Sequence, residues 1–416
     1  MHILDDLKFR GLLNQFTDFD SLYERLKRPC VLYCGFDATA DSLHIGNLLA
    51  LVCLKRFQKF NHKPIALLGG GTSLIGDPSG KKSERTLNSK ETVDKWSKKI
   101  EKQFKAFFGS GNYVIDSNYE WLGKAKLLDF LRDIGKYFSV SSMLKKESVR
   151  SRIESGISFT EFSYMLLQAY DFLELNKKYD CQLQIGGSDQ FGNIIAGIDV
   201  IRKVSQKDAF GLTFPLVTKA GGAKFGKTEL GTVWLDPEKT SPYQFYQFWV
   251  NVDDEDVIKF IRYFTFLSYE DITALENEVK DNPQKRVAQR TLAEEVTKMV
   301  HGERAFKKSE EISKTLFEGD LKSLSNQDIN NAFGHMPSSL IEKNEIKLID
   351  LLVESKISVS KRQAREDAQS GSIFINGEPC SDPEKNLTAK DQLFGKYIII
   401  RKGKKQYFLV QLKSRG

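Results

Sequence analysis

Three short apolar runs, each broken by glycine and each followed by a helix-like stretch, limit what this chain can fold into. The first, Val31-Leu-Tyr-Cys-Gly-Phe-Asp37, gives way to polar residues up to Ser42 and restarts at Leu43 with the spacing of a buried helix. The second, Ile65-Ala-Leu-Leu68, runs into Gly69-Gly-Gly71, and the third, Cys181-Gln-Leu-Gln-Ile185, runs into Gly186-Gly-Ser-Asp-Gln190. Alternation of apolar strands with helices predicts an α/β fold, a doubly wound parallel sheet. Ligands of such a sheet lie off the carboxyl ends of its strands, so the turns after Tyr33, Leu68 and Ile185 all open onto one edge.

The first turn invites phosphate, because a helix start presents unpaired N–H groups and positive partial charge, with His44 and Gly46 placed to approach an anion. A capping or surface histidine reads the same way from residues alone. The stretch 159–172 carries a second signal: Tyr164, Gln168 and Asp171 stand at i, i+4 and i+7, on one helix face amid Phe162, Met165 and Phe172. Three aligned polar groups in an apolar helix need partners, supplied by an internal hydrogen-bond network or by a bound polar molecule. A third signal is glycine-rich and cationic, Lys219-Ala-Gly-Gly-Ala-Lys-Phe-Gly-Lys-Thr228, which residues alone leave open between a surface hairpin and a phosphate-binding loop.

At 416 residues the chain has room for two or three domains. The α/β domain is expected over 1–236. Helical spacing at 243–251, 253–265, 269–280 and 284–301 predicts a helical domain over 237–320. Residues 321–344, rich in Ser, Asn and Asp, read as a linker, and 345–416 as two short helices with a hairpin, a small α+β domain. Ahead of the first strand, Leu12, Leu13 and Phe16 recur at helical spacing. Five cysteines without a Cys-x-x-Cys pair support neither a zinc site nor a disulfide framework, and no protein-bound metal is expected. Without a membrane-length apolar run or a secretory start, the expected location is the cytoplasm, with no membrane partner. Of the net charge of +7, +5 falls in residues 345–416, where 14 Lys and Arg face 9 Asp and Glu. A polyanionic partner at that end fits this excess.

These stretches carry a resemblance. His44-Ile-Gly-Asn47 resembles the His-Ile-Gly-His signature that opens class I aminoacyl-tRNA synthetases of the bacterial tyrosyl family, with Asn47 in place of the second histidine. Asn47 keeps hydrogen-bonding capacity but cannot carry a proton or a charge. Gly76-Asp-Pro-Ser-Gly-Lys81 matches the family residue by residue, and Lys224-Phe-Gly-Lys-Thr228 resembles its Lys-Met-Ser-Lys-Ser signature. The resemblance spans nearly the whole chain and implies a Rossmann-like catalytic domain and an S4-like RNA-binding domain at the end. Its implied reaction joins L-tyrosine to ATP, carried with Mg²⁺, and then passes tyrosine to tRNA(Tyr), in a homodimer.

Residue by residue, the resemblance implies that His44, Asn47, Thr39, Lys81, Arg85, Lys224, Lys227 and Thr228 serve the triphosphate and its reaction. Tyr33 and Asp171 would hold the phenolic hydroxyl, Asp77, Tyr164 and Gln168 the ammonium, and Gln190 the carboxyl group. Cys34, Gly35, Asp37, Gly46, Gly187 and Asp189 would contact the adenylate, with Leu216 and Val217 against adenine and Lys227 at the phosphates. Lys361, Arg362 and Arg365 would contact RNA phosphate. Two other readings fit part of the pattern, the tryptophanyl family and an RNA-binding protein derived from a synthetase.

Overall fold

The apolar runs form five strands, β1 (Val31–Asp37), β2 (Lys63–Gly69), β3 (Val114–Ser117), β4 (Cys181–Gly187) and β5 (Phe210–Phe214). They lie in the order β3-β2-β1-β4-β5 with every neighbouring pair parallel. The order reverses between β1 and β4, the switch point at which open α/β sheets gather ligands. The computed structural model describes residues 1–79, 87–154, 156–218, 220, 225–228, 231–318, 321–333, 338–403 and 406–413. Lys81, Arg85 and Lys224 lie outside the described residues, and Lys227 and Thr228 are described by their backbone alone.

Helix α1 (Ile45–Lys59) follows β1, and α2 (Lys90–Phe108) sets Phe104 edge-on against Phe36 at 5.0 Å. Side chains alternate along a strand, so the residues of opposite parity turn to the other face. There Tyr33, Ile65 and Leu67 share a core with Met165 and Phe172 of α3 (Phe159–Tyr179) and with Val200 of α4 (Phe191–Ser205). This is the doubly wound arrangement that the apolar runs predict, and it puts α3 directly beside Tyr33.

Near the N-terminus, helices form over Ile3–Phe9 and Phe19–Arg25, but the helical spacing of Leu12, Leu13 and Phe16 is not realised. Instead the amides of Asn14 and Thr17 donate to the carbonyls of Thr213 and Gly211 at 2.9 and 3.0 Å, and Thr213 donates back to Gln15 at 2.7 Å. β5 is an edge strand whose backbone groups need partners, and a whole ladder of bonds outweighs one short amphipathic turn.

The chain divides into two compact units, Met1–Asp236 with Val252–Leu292, and Pro237–Asn251 with Ala293–Gly416. The stretch expected as one helical domain is therefore shared out: α5 (Asp254–Phe264) and the helix Tyr269–Asp281 belong to the first unit, Pro242–Val250 to the second. In the second unit, residues expected as linker hold a helix, Asn326–Phe333, and a strand, Ser338–Ile341, which pairs in parallel with residues 409–412. Ile329, Ala332 and Phe333 bury there against Tyr397, Ile399 and Leu409, so the polar composition hides an apolar face. The C-terminal helices Leu348–Glu354 and Lys361–Gln369 cover strands Ile373–Ile375 and Ile398–Lys402 through Leu351, Leu352, Ala364 and Ala368. Among the described residues, no helix is long and apolar enough to cross a membrane.

Candidate active site

His44 is the N-cap of α1, and its Nδ1 accepts from the Gly46 amide at 3.0 Å. Since Nδ1 accepts, the neutral ring carries its hydrogen on Nε2, which makes the far side of the imidazole a donor. The same helix start explains Asn47. Its Oδ1 accepts from the His44 amide at 3.1 Å, completing a capping box, so the replacement of the signature histidine leaves the helix N-terminus satisfied.

The backbone of Val233 joins the two signatures. The Ile45 amide donates to Val233 at 2.9 Å, Leu235 donates to Leu43 at 2.9 Å, and Val233 donates to Gly226 at 3.1 Å. Gly226 has φ +85°, and a Cβ there would stand 2.3 Å from Ile45 Cγ2, so this approach requires glycine. Lys227–Thr228 then pairs antiparallel with Gly231–Thr232. The backbone that carries the cationic signature is thus fixed beside the helix start that carries His44.

Each polar residue of α3 reaches a different strand end. The Tyr164 hydroxyl donates to Asp37 at 2.9 Å, and Asp37, closing β1, also accepts from Thr72 Oγ1 at 2.7 Å. That carboxylate dictates Gly69, since a Cβ there would sit 2.1 Å from Asp37 Oδ1. Gln168 donates to Gln190 Oε1 at 3.3 Å and accepts from Asn193 at 3.0 Å, while Gln190 donates to Asp77 at 2.8 Å. Asp171 accepts from Trp121 Nε1 at 2.7 Å and from Asn118 Nδ2 at 2.9 Å, just beyond β3. Asn118 in turn accepts from the Gly71 amide at 2.7 Å. An internal network therefore satisfies much of this face. It does not satisfy Tyr33, whose buried hydroxyl has no partner among the described residues. Leaving it so costs about 1–3 kcal/mol, which a bound polar group would recover.

Burial pushes the phenols of Tyr33 and Tyr164 well above their ordinary range, so both remain neutral donors. Burial likewise raises the Asp171 carboxyl from 3.8 to about 8, against the opposing pull of Asn118 and Trp121. A carboxyl raised in this way binds its proton more tightly folded than unfolded. Stability is therefore full below the unfolded value and is lost as pH rises towards about 8, at up to about 1.4 kcal/mol per pH unit. The wild-type urea midpoint should fall more steeply from pH 5 to pH 8 than that of Asp171→Asn, which cannot ionise. Equal slopes would assign the proton to another group.

Toward the open edge, a Cβ on Gly187 would meet Asp189 Oδ1 at 2.8 Å and Leu216 Cδ2 at 3.0 Å, so these three residues adjoin, with half-buried Val217 next in the chain. Cys34 is buried and its thiol is pushed up by desolvation, whereas Gly35 is exposed with open space where a side chain would be. Thr39 is exposed just past β1, its amide donating to the Asp37 carbonyl at 3.0 Å. Sequence reasoning left Thr72 and Asn193 out of the site, and placed Asn118 and Trp121 beside the tyrosine pocket only by resemblance, as supporting structure. The position of Asn118, polar and directly after a strand at the ligand-facing edge, was the available signal. In the second unit, Lys361, Arg362 and Arg365 are exposed on one helix and pair with Asp350, Glu366 and Glu384 at 2.6, 3.0 and 3.3 Å.

A parallel sheet with one signature at the first helix start and a second bound against it is the architecture of a class I synthetase, and the family model "tRNA synthetases class I (W and Y)" matches residues 24–318. A second model, "Tyrosine--tRNA ligase SYY-like C-terminal domain", matches residues 328–410. Tyrosine--tRNA ligase of Geobacillus kaustophilus is 58% identical over 417 residues, covering 99% of this chain and all of the relative. That of Desulfitobacterium hafniense is 54% identical over 419 residues, again covering 99% of this chain and all of the relative. Among solved structures, a C-terminally truncated Aspergillus nidulans mitochondrial tyrosyl-tRNA synthetase superposes with a TM-score of 0.70 at 30% identity, covering 76% of this chain and 94% of that one. The chain belongs to the tyrosyl-tRNA synthetase family.

Proposed function

We propose that this chain is a cytoplasmic enzyme that activates L-tyrosine with MgATP and esterifies tRNA(Tyr). The observation that carries this reading is the buried, unpartnered hydroxyl of Tyr33, whose pKa burial raises first and the nearby Asp171 carboxyl second, beneath α3 at the strand ends. A phenol entering there gains a donor in Tyr33 and an acceptor in Asp171. An indole has one N–H and no hydroxyl to offer this pair, which disfavours the tryptophanyl reading.

In the first step the tyrosine carboxylate attacks the α-phosphorus of ATP, the bond to the bridging oxygen breaks, and pyrophosphate leaves with its electron pair. The attacking oxygen is already ionised, so the site supplies alignment and countercharge rather than a base. Nε2–H of His44 donates toward phosphate, with Asn47 and Thr39 alongside, while the first amides of α1 keep their bonds within the protein. Lys81, Arg85, Lys224, Lys227 and Thr228 meet the triphosphate, with Mg²⁺ arriving as part of the nucleotide. Asp77, Tyr164 and Gln168 hold the ammonium, and Gln190 orients the carboxylate. Cys34, Gly35, Asp37, Gly46, Gly187 and Asp189 line the adenylate, with Leu216 and Val217 against adenine.

In the second step a hydroxyl of the terminal ribose attacks the tyrosyl carbonyl, gives up its proton as the anhydride bond to phosphate breaks, and AMP leaves with the electron pair; the helical residues 237–320 and an S4-like domain over 345–416 hold the tRNA. Two copies of the chain work together, supported by exposed apolar side chains at Leu127, Leu128, Val140 and Phe159, each more than 60% exposed. Exchange of labelled pyrophosphate into ATP should depend on tyrosine and not on tryptophan. Exchange stimulated by tryptophan alone would refute the assignment, and none with either amino acid would favour an RNA-binding role.

A further inference from the structure

The segment between Leu216 and the second signature is gripped by a helix that the reaction scheme does not use. Asp256, on the first turn of α5, is 2% exposed, and its Oδ2 accepts from the Ala220 amide at 3.0 Å. Lys259, one turn later, bonds to the same carboxylate and donates to the Thr218 carbonyl at 2.8 Å. A carboxylate is expensive to bury unless it is paired, and both partners of this one bear on residues 218–220. Beyond that grip, Phe225 of the signature packs its ring 4.8 Å from Phe260 and 5.6 Å from Phe264. Asp256, Phe260 and Phe264 recur at i, i+4 and i+8, so one stripe of α5 holds the segment before and inside its cationic residues.

We propose that Asp256 and Lys259 are positioning residues for nucleotide use: acting through the backbone at Thr218 and Ala220, they set where the second signature stands. The inference rests on the activating role proposed above. It separates the substrates, because the nucleotide contacts proposed above fall at Leu216, Val217 and the second signature, whereas those proposed for tyrosine fall on α3 and the strand ends.

Asp256→Ala should lower kcat/KM for ATP in pyrophosphate exchange by about tenfold, the scale of one charge-assisted hydrogen bond, with the tyrosine KM changed by less than about twofold. Asp256→Asn, which keeps an oxygen for the Ala220 amide, should recover most of that loss. Lys259→Met, at a partly exposed position, should fold normally and lose about threefold on ATP alone. Hydrogen exchange at the Ala220 amide in the full chain should quicken in Asp256→Ala and stay near wild type in Asp256→Asn. Unchanged ATP kinetics in all three variants, equal losses on both substrates, or an Ala220 amide indifferent to Asp256 would overturn the inference while leaving wild-type tyrosine-dependent exchange, and the activating role, intact. Absence of that exchange in the wild type would overturn both.

Discussion

Replacing Asp171 with alanine should abolish most of the preference for tyrosine over phenylalanine. The ratio of the two kcat/KM values in pyrophosphate exchange reports it. Tyrosyl enzymes are the known instance of a site that rejects the analogue lacking a hydroxyl by about 10⁴ to 10⁵, so the size of the effect is taken from them and not from the geometry. The geometry supplies the reason. Phenylalanine leaves the desolvated Tyr33 hydroxyl unmet, at about 1–3 kcal/mol, and denies the desolvated Asp171 carboxyl the further bond that tyrosine brings. With alanine at 171, the acceptor is gone for substrate and protein alike, and Trp121 Nε1 and Asn118 Nδ2 lose theirs as well. Tyrosine then holds little advantage over its analogue. An unchanged preference would remove Asp171 from phenol recognition.

That Asp171 mattered was legible from spacing, because three polar residues at i, i+4 and i+7 in an apolar helix require a common explanation. What held it was not legible from spacing, and only the resemblance put Asn118 and Trp121 near it. Asn118 and Trp121 follow a four-residue strand, at the cap and within the single helical turn Tyr119–Leu122, too short for periodicity to announce a side chain's direction, and their partner stands 50 or more residues further along the chain. Gly69 shows the same limit. Its glycine-rich turn was plain, but that the middle of the site needs a bare backbone there follows only from where the Asp37 carboxylate lies.

The other departures come from partners the local pattern cannot contain. Residues 14–17 satisfy the edge of β5 rather than the helix their apolar spacing suggests. Residues 325–333 did carry a start signal, since Ser325 and Asp328 each accept from the other's amide at 3.2 and 3.0 Å, a capping box ahead of Ile329, Ala332 and Phe333. Abundant Ser, Asn and Asp read as a linker because the strand that buries those three residues, Ile398–Lys402, lies far along the sequence.

Converting Lys361, Arg362 and Arg365 together to alanine should leave tyrosine activation intact and weaken tRNA charging by about 10³-fold in kcat/KM, counting about 1.5 kcal/mol for each lost charge-assisted bond to phosphate. Log charging efficiency should also fall less steeply with log salt, by about two to three units of slope. The three side chains are exposed, and their bonds to Asp350, Glu366 and Glu384 are surface ion pairs worth little, so phosphate can displace the acids and alanine can replace the cations without unfolding the helix. Deleting everything after residue 343 is a poorer test, for it strips the partner strand from Ser338–Ile341 and uncovers Phe333, mixing lost RNA contact with lost packing. Charging that survives the triple substitution would move the RNA contact elsewhere. Loss of activation in proportion to charging would show that the two steps do not divide between the site of the first unit and the basic surface of the second.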